Sequence, residues 1–70
     1  MSEEDFIVIM NLIDGAYQNF RLTDNTLKSY YNFLKGYRNK DVWYAVSYWI
    51  KHNDYAPTIK NLVEMLGEGE

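Results

Sequence analysis

The segment Tyr55–Leu66, YAPTIKNLVEML, leaves this chain few choices of fold. Pro57 disfavours helix at Ala56 and has no N–H to donate, while Thr58 offers a hydroxyl to the orphan amides of a helix beginning just after it. Ile59, Leu62, Val63 and Leu66 then recur at helical spacing, and Gly67 stops the run. A helix started so sharply and greasy on one side needs other helices to lie against.

The same period supplies them. Ser2 followed by Asp5 resembles a capping box, with Glu3 and Glu4 at the positive end of a first helix. Phe6, Ile9, Met10, Ile13 and Tyr17 form its inner stripe, and Val8 and Leu12 fall outside it. The Ile/Val-rich run Phe6–Met10 alone would suit a strand, but the three-and-four spacing continuing to Tyr17 decides for helix. That helix should fray near Gly15–Asn19.

Thr23 is the expected N-cap of a second helix carrying Leu27, Tyr30, Tyr31 and Leu34 inward, with Gly36 just past its end. Phe33 and Tyr37 are expected to pack at the corner with helix three. Helix three runs from about Asp41 to His52 and turns Val42, Ala45, Val46, Trp49 and Ile50 inward. The predicted fold is thus all-α: one domain over residues 1–70, a compact bundle of four short helices, ordered over about residues 2–67 with a short frayed tail. Its expected core is Phe6, Ile9, Ile13, Tyr17, Phe20, Leu27, Tyr31, Leu34, Val46, Trp49, Ile50, Ile59, Leu62 and Val63.

Composition enters as the question of what holds so small a bundle together. A chain of 70 residues buries only about 60% of the surface its unfolded state exposes. There is no cysteine and a single histidine, so neither a disulfide nor a Cys/His metal cluster can staple it. Seven Tyr, three Phe and two Trp supply the bulk instead, each removing about 150–250 Å² from water when buried. Acids at Glu3, Glu4 and Asp5 stand where a signal peptide needs basic residues, and the apolar run Phe6–Met10 is far too short to span a bilayer. The lack of Cys fits a reducing cytoplasm.

With the helices placed, the pattern from Ala16 to Leu66 resembles the N-terminal domain of the phage helicase loader/inhibitor family. The likeness is carried by Ala16-Tyr17, Asn19-Phe20, Thr23, Tyr30 and Tyr31, Leu34, Val42, Ala45-Val46, Trp49-Ile50, and Tyr55 to Ile59 with Pro57-Thr58. Gln18 and Ala56 depart from it, standing where the family has proline. The resemblance implies a compact helical domain followed by a long flexible segment that engages the replicative helicase. It also implies a non-enzymatic role in replication initiation in the bacterial cytoplasm, with the replicative helicase or an initiator as partner and no cofactor.

No catalytic constellation competes with that expectation. His52 sits alone at a helix end, where the dipole favours it as a solvated or capping residue. Glu3, Glu4 and Asp5 are better explained as dipole partners than as an acid/base pair. There is no Cys nucleophile, no glycine-rich phosphate loop and no second His for a metal. A small single-strand nucleic-acid binder would place aromatics on an open, basic surface. Here the net charge is −3, the Lys and Arg are scattered, and most rings point inward by period, so direct nucleic-acid binding is disfavoured.

What remains is a docking surface. At about 100° per residue, Val42, Ala45, Val46 and Trp49 point one way along helix three. Tyr44 and Tyr48 fall opposite, one turn apart and beside Lys51, with Trp43 at the boundary near Ile50. A neighbouring helix often covers boundary positions in so small a bundle, which is the plainer reading. The functional reading makes Trp43, Tyr44, Tyr48 and Lys51, together with Arg38, a partner-binding patch, since Tyr and Trp commonly anchor interfaces. An alternative within the same fold is a free-standing phage inhibitor that binds a host protein.

Overall fold

Side-chain oxygens set three of the four helix starts in the computed structural model, which describes residues 1–67. Ser2 Oγ accepts the Asp5 N–H at 3.1 Å and opens α1, Glu3–Ala16. Thr23 Oγ1 accepts the Thr26 N–H at 3.1 Å and opens α2, Asp24–Leu34. α4, Ile59–Met65, begins with a full capping box: Thr58 Oγ1 accepts the Asn61 N–H at 3.1 Å, and Asn61 Oδ1 accepts the Thr58 N–H at 2.9 Å. Only α3, Asn39–His52, lacks a side-chain cap, following Arg38 directly and beginning two residues earlier than the sequence suggests. Lys51 and His52 favour its C-terminal end through the helix dipole.

The ends are equally local. α1 stays helical through Gly15 and Ala16, and the chain turns extended at Tyr17, whose N–H still reaches the Ile13 carbonyl at 3.1 Å. Lys35 caps α2, and Gly36 follows as expected. Gly67 has φ 94°, a left-handed conformation that glycine adopts at little cost, and ends α4. The frayed tail expected beyond it falls on residues 68–70, outside the described residues.

All four helices feed one core. Phe6, Ile9, Met10 and Ile13 of α1 meet Leu34 of α2, Val42, Ala45 and Val46 of α3, and Leu62 of α4, all buried. The most extensive pairing is α1 with α3, while α4 packs on α2 and α3. Tyr17, Phe20, Leu27, Tyr31, Ile50 and Val63 line this core half-buried, as the apolar period requires.

Four expectations are corrected. Trp49 stays at the rim: its indole N–H needs an acceptor and finds the Tyr55 carbonyl at 2.7 Å, while its ring meets Tyr55 edge-on at 5.5 Å. Ile59, at the first position of α4, is half-buried and outside the central cluster. Phe33 is 62% exposed, because a step of about 100° from Leu34 turns it away from the stripe that α2 buries. Leu12, expected outside, is half-buried against the core.

Polar tips of aromatic residues tie the connectors down. Tyr17 Oη donates to the Asn53 carbonyl at 2.9 Å, Tyr30 Oη to that of Pro57 at 2.8 Å, and Tyr31 Oη to that of Met1 at 3.4 Å. Phe6 and Tyr31 meet edge-on at 5.1 Å, Phe20 and Tyr30 at 6.0 Å.

Two substitutions measure these contributions. Ile13→Ala, at a fully buried site, should cost about 3 kcal/mol in urea unfolding. Thr58→Ala, which removes one half of the capping box, should cost about 1 kcal/mol.

Candidate functional site

α3 presents two chemically separate faces. Its inner face is Val42, Ala45 and Val46, all buried. By the helical step, the opposite arc of about 140° carries Trp43, Ser47, Lys40, Lys51, Tyr44 and Tyr48 in that angular order. No carboxylate lies on that arc; Asp41 falls just past its Tyr48 edge.

The rings on this arc are open to solvent. Tyr44 is 68% exposed, Tyr48 46% and Trp43 43%, and Lys51 is exposed as well. Tyr44 and Tyr48 stand 6.2 Å apart, and Tyr48 lies 4.2 Å from the His52 imidazole with the planes 33° apart. Three rings at i, i+4 and i+8 thus form a ladder down one side of the helix. Trp43 occupies the other flank of the arc, with Lys40, Ser47 and Lys51 between. Arg38 is exposed, but it caps the opposite end of α3, about 20 Å along the axis from Lys51. The structure brings Tyr44 and Tyr48 together and keeps Arg38 apart from Lys51.

Three residues join this face that the sequence reading left out. Lys40 lies on the arc by the same helical step that finds Tyr44, so its signal was present. His52 joins by its i, i+4 spacing to Tyr48. Met65 has no sequence signal: it reaches the site only because α4 packs beside α3. There Asp41, Tyr44, Ala45, Met65 and Leu66 line a shallow groove of about 280 Å³.

A larger cleft, about 510 Å³, opens between the α1–α2 and α3–α4 connectors, among Tyr17, Phe20, Arg21, Tyr30, Asp54 and Tyr55. Its titratable rings are poor candidates for proton transfer. Burial raises the Tyr30 phenol above its ordinary value, and burial together with the Asp54 carboxylate raises Tyr17. Both hydroxyls remain neutral at physiological pH and already donate to carbonyls of the α3–α4 connector. No group of three or more His, Asp or Glu able to hold a metal ion occurs among the described residues. Nor is any described helix long and apolar enough to cross a membrane.

The chain folds as a small four-helix domain, with the hydroxyls of Tyr17, Tyr30 and Tyr31 turned onto its own backbone and the rings of Trp43, Tyr44 and Tyr48 displayed along α3. The chain belongs to the phage helicase loader/inhibitor family, and the model of that family's N-terminal domain matches residues 1–63. The match runs from the start of α1 into α4 and bears out the resemblance read from the sequence. This family is not a catalytic one. No curated protein and no solved structure matches the chain.

The raised phenol of Tyr30 fixes the sign of an alkaline effect. Folding favours its protonated form, so the stabilisation is whole below the unfolded-state value near 10 and is lost as pH rises through the folded value. Unfolding midpoints in urea should therefore fall above about pH 10 in the parent. Tyr30→Phe should flatten that fall, while losing about 1 kcal/mol at neutral pH with the bond to Pro57.

Proposed function

We propose that this domain is a non-enzymatic, stoichiometric regulator of phage or prophage DNA replication in the bacterial cytoplasm. It binds a replication protein, the replicative helicase or an origin initiator, and thereby loads or inhibits it. Membership of the loader/inhibitor family supports a helicase as the general class of partner. The observation that carries the reading is the Tyr44–Tyr48–His52 ladder, held on a rigid helix and open to solvent. Tyrosines bring large contact area with few rotatable bonds, so burying them against a partner costs little conformational entropy.

Trp43, Tyr44, Tyr48 and Lys51 form the docking face in this proposal, and Arg38 extends it past the helix start. α3 makes the face rigid because its inner side is fixed in the core, so docking requires little reorganisation. A bound regulator shifts its partner only by its difference in affinity for the partner's two states. Loading and inhibition are therefore two outcomes of one binding act, separated by which state the domain prefers.

Titration calorimetry of the purified domain against the cognate helicase and initiator tests the proposal. One of the two should bind, and Tyr44→Ala combined with Tyr48→Ala should weaken that complex by about 30-fold, the scale of one interface hot spot. Circular dichroism should leave the helix content unchanged, since neither ring belongs to the core. Absence of binding to both proteins would refute the function, and an unimpaired double variant would refute the face.

A further inference from the structure

Charge is distributed unevenly over this molecule. α1 carries Glu3, Glu4, Asp5 and Asp14 and no Lys or Arg. All seven Lys and Arg lie from Arg21 onward, against only Asp24, Asp41, Asp54 and Glu64 within residues 21–67. The outward arc of α3 carries two of those cations, Lys40 near its start and Lys51 near its end, about 16 Å apart along the axis, with Trp43, Tyr44 and Tyr48 placed between them. Beside Tyr44, Met65 at the end of α4 and Leu66 just past it line a groove together with Ala45 and Asp41. Met65 is itself 38% exposed.

We propose that the α3 face recognises an acidic, apolar-centred segment of a protein partner. An apolar side chain of that segment seats between Tyr44 and Met65, and flanking carboxylates reach Lys40 and Lys51. The proposal rests on the reading of α3 as the docking face and names the chemistry that this face selects. Two lysines on an open arc that carries no carboxylate, Asp41 falling just past its edge, favour a partner of negative charge. Single-stranded nucleic acid has the same sign and also stacks on rings, so the two classes must be told apart.

The whole molecule favours the protein. A phosphate polymer extends beyond the face, meets a net charge of −3 with four acids on α1, and gains only the few counterions that two lysines release. A compact acidic segment meets the local field of α3 alone, because screening at physiological salt acts over about 8 Å.

Three probes decide it, each titrated into the folded domain while backbone amide resonances are followed by NMR. They are a synthetic amphipathic helical peptide with leucines flanked by glutamates, the same peptide with lysines in place of the glutamates, and an oligothymidylate. The glutamate peptide should bind at least tenfold more tightly than its lysine counterpart at low salt, shifting amides of Lys40–Lys51 and of Met65 and not those of the outer face of α1. Lys40→Glu with Lys51→Glu should abolish or reverse that preference; should this pair perturb folding, Lys40→Ala with Lys51→Ala should reduce it. Equal binding of the two peptides, binding of neither, shifts centred away from α3, or tighter binding of the oligothymidylate would each overturn the proposal. Failure of the helicase and initiator to bind would refute the function proposed above and leave this preference standing.

Discussion

Three aromatic donors converge on the short connector between α3 and α4. Tyr17 reaches in from the end of α1, Trp49 from α3 and Tyr30 from α2, and each takes a backbone carbonyl, of Asn53, Tyr55 and Pro57 respectively. Asn53 adds a bond back to the Trp49 carbonyl at 3.2 Å. The bonds from Tyr17 and Tyr30 are partly buried, where a carbonyl left without a partner is costly, while the bond from Trp49 lies at the exposed rim. The rings supply the missing donors while adding apolar area, so one residue type closes the core and secures the chain crossing it. Pro57 is fully buried at this junction, and with Thr58 it aims α4 onto the rest of the bundle.

This use of aromatics divides six of the seven tyrosines into two populations, with Tyr37 half-buried against the core beside them. Tyr17, Tyr30 and Tyr31 turn their hydroxyls onto backbone carbonyls and line the core. Tyr44, Tyr48 and Tyr55 stand largely in solvent. The first group supports a bundle that has neither disulfide nor metal; the second gives it something to present. Only α3 takes full part in both tasks, since it packs against α1 and α4 while displaying the ladder.

The helices and most of the core could be read from the sequence because both depend on local rules. Caps act over three residues, the apolar stripe repeats every three or four, and Pro57-Thr58 and Gly67 mark ends that no distant contact overrides. What escaped the sequence depends on neighbours in space. Trp49 shares the inner stripe of α3 by the helical step, but it lies near the C-terminal end of the helix, where its indole N–H bonds the Tyr55 carbonyl at the rim of the bundle. Leu12 is covered because the bundle closes over it, whereas Phe33 is left bare because nothing does. On the candidate site, Tyr44 and Tyr48 followed from the helical step, but Met65 joins them only through the packing of α4. Arg38 looked close in sequence, yet the rise along α3 carries it a full helix length from Lys51.

The two faces of α3 share no side chain, and this shapes how the domain can change over generations. Substitutions at the exposed positions 40, 43, 44, 48 and 51 leave the packed interior alone, and surface changes of this sort typically alter stability by no more than about 0.5 kcal/mol. On the docking role proposed for the outward arc, its chemistry can be rewritten while the scaffold stays intact. That separation would let one frame serve a succession of partners.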